Sequence, residues 1–220
     1  AVVTAVTDPD ADRSRRISMF LVDLAAEGVA RKRLNKRVWV PSDLTRLVFS
    51  DVFVPEDHLM GERGRGLSQV LSVFTHSRVP ISGLALGTAE GAFELALAHA
   101  ATRTVFGRPI AEQQAKSFEI AELHSRIEAA RQVLFNACRV MDDGGDFRLE
   151  ASMAKYLCVD ISQQVGRWAA DLFGAASVMT DHPIHRYPVD AWAVSLAEGT
   201  QDIQKLVIFR EIMKRFDDRI

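Results

Sequence analysis

The hydrophobic pattern of residues 111–142 is the feature that most constrains how this chain can fold. Apolar residues recur there at alternating spacings of three and four residues over six consecutive steps. This spacing puts them on one face of an α-helix, and the sequence DDGG at 142–145 then ends the pattern. The predicted core face consists of Ile120, Leu123, Ile127, Ala130, Leu134, Ala137 and Met141.

Two further segments, about 67–101 and 148–173, also repeat apolar residues at a helical spacing. A fourth helical unit is interrupted at Gly199 and Thr200, and Pro183 and Pro188 are suited to its start. Long helices joined by short loops form antiparallel bundles, so these segments predict a four-helix bundle. The predicted core faces of the first and third helices are Val70, Phe74, Ile81, Leu84, Thr88 and Leu95, and Ala154, Leu157, Ile161, Val165, Trp168 and Leu172.

The first 65 residues have a different texture, with many β-branched residues between short polar turns. Residues 15–24 and 44–55 are predicted as strands, and 29–38 as a weaker one. GERGRG at 61–66 has the composition of a linker. The predicted fold is therefore mainly α: a partial β domain at 1–65, half of a small barrel or sandwich, followed by the bundle at 66–220.

Composition excludes several classes of function. The net charge is −2 without a basic cluster, which argues against a nucleic-acid partner. No uninterrupted apolar run approaches the roughly 20 residues of a membrane helix, so no membrane insertion is expected. The six histidines lack metal-ligand spacing, so no metal site is predicted. Cys138 and Cys158 lie in apolar periodic segments, which is typical of buried free thiols in the reducing cytoplasm.

Three segments together resemble the acyl-CoA dehydrogenase family. They are FSDVFVPEDHLMGERGRGL, the run at 78–118 that begins RVPISGLALGTAEG, and DAWAVSLAEGTQDIQKLVI. The resemblance extends from about residue 17 to 216 and implies FAD-dependent oxidation of an acyl-CoA, or acyl-carrier, thioester to the trans-2-enoyl thioester. The family's N-terminal helical domain and the first part of its β domain have no counterpart here. The resemblance thus implies a fragment or a truncated form that is inactive alone.

Glu198 is the predicted catalytic residue. The resemblance makes it the base that removes the weakly acidic proton next to the thioester carbonyl, and makes the Gly199 amide a donor to that carbonyl. Some relatives carry the base just before the arginine of the first bundle helix, where this chain has Ser77, which cannot serve. An ordinary acidic residue near a helix start is the alternative reading of Glu198.

The resemblance also assigns binding residues. Phe74, Ser77, Arg78 and Gly199 are predicted to contact the substrate, with Arg78 suited to a phosphate of coenzyme A or a carrier; a solvated or capping arginine is the alternative. The predicted cofactor-binding residues, some of which reach the flavin of a neighbouring subunit in the family, are Arg103, Phe106, Gln114, Asp171, Gly174, Thr200 and Asp202.

Several positions depart from the family pattern. Asp171 and Asp202 stand where amides are common, and Ala175 replaces a glycine, so FAD affinity at this corner is in question. Trp192 replaces a frequent arginine near Asp190. Ala197 replaces a tyrosine that is common in relatives with straight-chain substrates, which suggests a bulky, branched or unusual acyl group.

Two other functions stay open. One is a catalytically degenerate relative that serves as a helical assembly module, and the other is a related flavoenzyme for a nitrogen, nitro or carrier-bound substrate. The expected partners are a thioester substrate, an electron-transfer partner for the reduced flavin, and further copies of the chain in a homodimer or a homotetrameric dimer of dimers. The expected role is fatty acid or amino acid catabolism in the cytoplasm, or the mitochondrial matrix of a eukaryote.

Overall fold

The computed structural model describes residues 1–217, so the last three residues of the predicted 66–220 domain lie outside the described chain. The fold is mainly helical, with short strands, as predicted. The chain divides into two compact units, Ala1–Phe74 and a second that begins at Thr75. The predicted boundary after residue 65 coincides instead with the start of a helix at Gly66, and it stays a prediction.

The first unit contains two antiparallel strand pairs. Strand β1, Val2–Val6, pairs with β2, Ile17–Leu21, and strand β3, Val29–Arg33, pairs with β4, Thr45–Phe49. The three predicted strands are confirmed but are shorter than expected. Strand β4 stops before Asp51, whose φ of +52° in the left-handed region is incompatible with extended pairing.

A small buried centre in the first unit fixes the start of the long helix. The Ser18 hydroxyl is fully buried, shares a hydrogen bond of 2.8 Å with the Thr7 hydroxyl and accepts another of 2.8 Å from the Gly64 amide. A Cβ at Gly66 would lie 2.7 Å from the carbonyl carbon of Ser18. Only glycine allows the backbone to pass so close to β2.

Helices make up most of the second unit, although the first of them begins within the first unit. Helix α1 spans Gly66–Thr102, α2 Gln114–Asp142, α3 Arg148–Phe173, α4 Tyr187–Val194 and α5 Gln201–Asp217. A small hairpin of β5, Thr104–Val105, and β6, Arg108–Pro109, connects α1 to α2. The three long helices and the interrupted fourth unit are as predicted. Helix α2 starts later than residue 111 because Ile110–Glu112 form a separate 3-10 turn.

The core face of α2 was predicted correctly, but that of α1 was not. Leu123, Ile127, Ala130, Leu134 and Ala137 are buried in α2 as expected. In α1, by contrast, Phe74 and Leu84 of the predicted face are 41% and 47% exposed. The fully buried positions of α1 are small residues that let other helices approach closely: Ser82, Ala85, Ala89, Ala92, Ala96 and Ala100.

The core face of α3 was predicted correctly only in part. Ala154, Ile161 and Val165 of its predicted face are buried, whereas Leu157 is 38% exposed. The fully buried side of α3 instead includes Ala151 and Ser152. Leu84 of α1 and Leu157 of α3 are therefore partly exposed apolar side chains of the second unit.

Aromatic stacking ties α1 to its neighbours inside the second unit. The Phe93 ring stacks on the His124 ring of α2 and on the Trp168 ring of α3, with centroid separations of 5.8 and 5.7 Å. Glu90 accepts from Arg131 of α2 at 2.6 Å, in a half-buried pair worth about 1 kcal/mol or less. The buried Phe93 ring therefore links α1 to both α2 and α3.

Within residues 1–217, one helix could cross a membrane by length and composition. An 18-residue window of α1 reaches a mean hydropathy of 1.2, and 39% of that window is buried inside the chain. Core helices of bundles pass the same test, so one such helix is weak evidence. The prediction that this chain does not insert into a membrane stays a prediction.

A matched pair of substitutions in α1 tests the small-residue core. We expect Ala96→Leu, at a fully buried position, to lower the free energy of unfolding by about 1–3 kcal/mol through overpacking. Ala98→Leu, at an exposed position of the same helix, should change it by less than about 0.5 kcal/mol. Chemical denaturation measures both, and equal effects would contradict this assignment of the buried face.

Candidate functional site

The predicted catalytic residue lies in a strained turn between α4 and α5. Residues 195–200 separate the two helices, which confirms the predicted interruption. Within this turn Glu198 has φ +53° and Gly199 has φ +94°. A left-handed conformation is ordinary for glycine, but for a glutamate it costs on the order of 1–3 kcal/mol, so the surroundings must hold it.

Two fully buried side chains hold this turn. The Lys155 ammonium of α3 donates to the Gly199 carbonyl oxygen at 2.7 Å. The Gln204 amide of α5 donates to the same oxygen at 3.1 Å and to the Glu198 carbonyl oxygen at 3.2 Å. These contacts satisfy both carbonyls of the strained segment from two different helices.

The hydrogen bonds on one side of the turn leave a donor available on the other side. In a trans peptide the C=O and N–H groups point in opposite directions. Because Gln204 binds the Glu198 carbonyl, the N–H of Gly199 points away from Gln204. Among residues 1–217 this N–H donates to no protein group, so it can donate to a ligand.

The Glu198 side chain is half-buried and lies near two buried cations. Its Oε2 atom is inaccessible to solvent and has no hydrogen-bond partner among the described residues. Burial lowers the pKa of Arg78 from its ordinary value, against the opposing charge of Glu198. Burial, followed by repulsion from Arg78, lowers the pKa of Lys155 to about 8, and Glu198 again opposes the shift. This cluster therefore places two basic groups around one acid.

Arg78 faces the interior of the bundle. It is only 8% exposed, its Nη1 lies 3.4 Å from the Ser152 hydroxyl, and its Nε has no partner among the described residues. So buried a guanidinium offers little surface to a phosphate, and its proximity to Glu198 suits the reacting end of a substrate better. Ser77 next to it is half-buried, and Phe74 belongs to the first unit. The substrate contacts of all three stay predictions.

Three predicted cofactor residues lie at or beside the exposed β5–β6 hairpin. Phe106 at its tip is 99% exposed and has φ +52°, and Gly107 follows with φ +82°. Arg103 is exposed, with its backbone carbonyl accepting from Ile110 N at 2.9 Å, and Gln114 is exposed at the start of α2. An exposed ring and guanidinium on a structured hairpin suit a ligand that carries both phosphates and aromatic rings.

The other predicted cofactor residues fall into two places. Asp171 lies near the end of α3, and Gly174, with φ +59°, terminates that helix. Thr200 and Asp202 are exposed and lie at the end of the turn that contains Glu198 and just beyond it. An open groove of about 720 Å³ brings Phe106 and Asp171 together, but neither Glu198 nor Asp202 lines it. Within the second unit the predicted set therefore forms two clusters.

The predicted cofactor-binding residues suit FAD except for the two carboxylates, Asp171 and Asp202. An anion is unfavourable near a pyrophosphate, but the Asp171 carboxylate lies 3.8 Å from the Arg167 guanidinium, which offsets part of its charge. Asp202 likewise accepts from Lys205 at 3.1 Å. Both acidic departures from the family pattern thus have basic neighbours on the same helix turn.

Comparison with known proteins places the chain in a family. Residues 64–213 match the family model for the acyl-CoA dehydrogenase C-terminal domain. The chain belongs to the acyl-CoA dehydrogenase family. It is 37% identical over 199 residues to cyclohexane-1-carbonyl-CoA dehydrogenase of Geobacter metallireducens, covering 90% of this chain and 52% of that protein.

Solved structures of the family agree with the fold. Butyryl-CoA dehydrogenase from Megasphaera elsdenii matches 96% of this chain and 55% of its own length with a TM-score of 0.92 and 29% identity. The structure of PigA with FAD and proline matches 97% of this chain and 56% of its own length, with a TM-score of 0.91 and 27% identity. The chain thus spans little more than half the length of these proteins.

Lys155 and Gln204 were not found by sequence reasoning. A signal for Lys155 was present, because it lies three and four residues before the buried Cys158 and Val159, a spacing that puts a charge on the core face of α3. A charged residue on an apolar helix face needs a partner. Gln204 carried no comparable signal, because buried amides and surface amides look alike in a sequence.

The lowered pKa of Lys155 predicts a specific pH dependence of stability. The folded pKa of about 8 lies below the ordinary 10.5, so between these values the unfolded chain binds more protons and stability rises with pH. We expect the free energy of unfolding of the wild type, relative to Lys155→Met, to rise by about 2–3 kcal/mol from pH 7 to pH 10.

Chemical denaturation at several pH values measures this difference. Ser162→Ala is the matched control, because Ser162 is also fully buried in α3 and carries no titrating group in this range. Its difference from the wild type should stay constant over the same pH range. The free energy of unfolding of the wild type relative to Lys155→Met should not stay constant or fall with pH. Either result would refute the lowered pKa of Lys155.

Proposed function

We propose that this chain carries the catalytic base of an FAD-dependent acyl-CoA dehydrogenase, with Glu198 as that base. The observation that carries the proposal is the turn itself. One residue supplies a carboxylate with an unpartnered, buried oxygen, and the next supplies a backbone N–H without a protein acceptor. A thioester needs both groups, a base at its α-carbon and a donor at its carbonyl oxygen.

The chemistry divides between this turn and the cofactor. The Gly199 N–H donates to the thioester oxygen, which stabilises the negative charge that develops there as the α-proton leaves. Glu198 takes that proton, and the pair of electrons from the Cα–H bond forms the new double bond. FAD, when bound, supplies the acceptor for the hydride that leaves the β-carbon. The product is the trans-2-enoyl thioester, and two electrons remain for an electron-transfer partner.

Arg78 and Lys155 support this chemistry electrostatically. Both are buried beside Glu198, where a low dielectric strengthens charge interactions. They favour the negative charge of the substrate oxygen during proton removal. The retained turn and its basic neighbours argue against a degenerate assembly module.

For the cofactor, the proposed contacts are those of the two clusters. Arg103, Phe106 and Gln114 would reach the FAD of a neighbouring subunit together with Asp171 and Gly174, while Thr200 and Asp202 would contact FAD beside the base. Exposed apolar residues along α5 support assembly into a homodimer or a dimer of dimers, because they leave a stripe without a partner in the described chain: Ile203, Leu206, Phe209, Ile212, Met213 and Phe216. The site of action in this proposal is the cytoplasm.

The proposed acyl group is bulky, cyclic or branched. Ala197 is half-buried next to the base, and its single methyl group leaves room that a larger ring would fill. A similar protein from Geobacter metallireducens is a cyclohexane-1-carbonyl-CoA dehydrogenase, which is in line with such a substrate. A second candidate is a nitrogen-containing or carrier-bound substrate, because a structure of PigA with FAD and proline shares the fold.

The base assignment is tested with Glu198→Gln in the FAD-loaded protein. The amide keeps the shape of the side chain but cannot accept the α-proton, so flavin bleaching by acyl-CoA under anaerobic conditions should fall at least about 10³-fold. The FAD content should be unchanged. Glu94→Gln, at an exposed position of α1, is the matched control and should bleach at the wild-type rate. Normal bleaching by Glu198→Gln would exclude Glu198 as the base.

The acyl pocket is tested with Ala197→Tyr. The added ring should fill the space beside the thioester, and kcat/KM for cyclohexane-1-carbonyl-CoA should fall by about 10–200-fold relative to butyryl-CoA. Ala197→Ser, which adds one small atom, is the matched control and should change this ratio by less than about threefold. An unchanged ratio in Ala197→Tyr, or a wild type active only on short unbranched acyl-CoA, would contradict the proposal.

A further inference from the structure

Two buried donors converge on one carbonyl oxygen in the catalytic turn. The Gly199 oxygen accepts from Lys155 Nζ of α3 at 2.7 Å and from Gln204 Nε2 of α5 at 3.1 Å. Gln204 also reaches the Glu198 oxygen at 3.2 Å. Because the donors belong to different helices, the turn is held from both sides and not merely by the helix that follows it.

Burying Lys155 and Gln204 in the bundle lowers the free energy of unfolding. Lys155 is fully buried and forms no ion pair among residues 1–217, although an unpaired buried cation is unfavourable. The side-chain oxygen of Gln204, Oε1, is buried without a hydrogen-bond partner in the described chain. An apolar pair would pack here at lower cost, so the two donors serve the turn and not the stability of the bundle.

A charged donor suits the task of locking a strained peptide. Hydrogen bonds from a cation are shorter and stronger than neutral ones, and the 2.7 Å separation at Lys155 is at the short end of that range. Glu198 has a positive φ that an unrestrained glutamate would leave. Rotation of the Glu198–Gly199 peptide would turn a carbonyl oxygen, and not an N–H, toward the ligand.

We propose that Lys155 and Gln204 are positioning residues that lock the turn at Gly199 with its N–H directed at the substrate carbonyl. Gln204 holds the Glu198–Gly199 peptide, and both donors hold the adjoining Gly199–Thr200 peptide. This inference rests on the proposed dehydrogenase function. The lock acts on groups that matter most when charge develops on the thioester oxygen, so its loss affects proton removal more than substrate binding. The charged and polar groups that face the turn are Arg78 of α1, Lys155 of α3, Gln204 of α5 and Glu198 itself.

The test uses Lys155→Met and Gln204→Met, which remove the donors and nearly conserve volume. The FAD-loaded protein is mixed anaerobically with cyclohexane-1-carbonyl-CoA or butyryl-CoA in D₂O, and NMR follows exchange of the α-proton. Each variant should slow this exchange by about 10–10³-fold, while the dissociation constant for acyl-CoA and the FAD content change by less than about threefold.

The double variant separates a shared lock from two independent effects. If both donors are needed to hold the one turn at Gly199, the double variant should lose little more than the slower single variant. Ser162→Ala in α3 is the matched control and should exchange within about twofold of the wild type. Two results would contradict the proposed positioning role. One is a decrease in the α-proton exchange rate of the double variant equal to the product of the two single decreases. The other is a decrease explained by weaker acyl-CoA or FAD binding.

A second readout does not depend on catalysis. Amide hydrogen exchange of the ligand-free protein, measured by mass spectrometry over residues 196–203, should accelerate at least about 10-fold in either variant, with α3 still protected. If the wild type exchanges no acyl-CoA α-proton, the proposed function is wrong. The amide-exchange measurement still tests whether Lys155 and Gln204 hold the turn. Wild-type amide protection in both variants would disprove it. If Lys155→Met does not fold, Lys155→Gln replaces it and should show a smaller change in the same direction.

Discussion

The hydrogen bond from the Lys155 ammonium to the Gly199 carbonyl is the interaction on which the candidate site depends. Glu198 and Gly199 both adopt positive φ values, and a glutamate keeps this conformation only where neighbours enforce it. The enforcement requires that α3 and α5 lie close enough for a lysine and a glutamine to reach the same oxygen. Small buried residues on α3, such as Ala151 and Ala154, permit this approach. The geometry of the turn at Glu198 and Gly199 therefore depends on the composition of the helix faces that bring α3 and α5 together.

Charge and desolvation act against each other in this cluster. Burial disfavours the charged forms of both Arg78 and Lys155, and Glu198 is the anion that opposes this effect at each of them. A bundle built only for stability would replace such a triad by apolar residues, because buried charges rarely repay their desolvation. The arrangement instead resembles a site prepared for additional negative charge. A substrate oxygen that becomes negative during proton removal would balance the second cation.

The sequence predicted those parts of the fold that depend on local periodicity. The extent of α3 and the core face of α2 follow from the spacing of apolar residues, and the break before α5 follows from Gly199 and Thr200. The core face of α1 could not be predicted in this way, because its apolar residues occur on all sides. Which side is buried depends on the close approach of neighbouring helices, which selects Ala89 and Ala92 over Leu84. Lys155 and Gln204 were missed because their role arises only when α3 and α5 meet.

The two clusters of predicted residues differ in how many contacts within the second unit hold them in place. The side-chain donors to the Glu198 and Gly199 carbonyls come from α3 and α5, and Arg78 comes from α1, so the proposed base and the Gly199 N–H are arranged within the second unit. The hairpin is the reverse case, because the Phe106 ring is 99% exposed and contacts little of its own chain. An aromatic side chain at the tip of a turn gains burial only from another molecule. The residues of the proposed acid–base step are therefore arranged within the bundle, whereas the proposed cofactor contacts of the hairpin would require a second molecule.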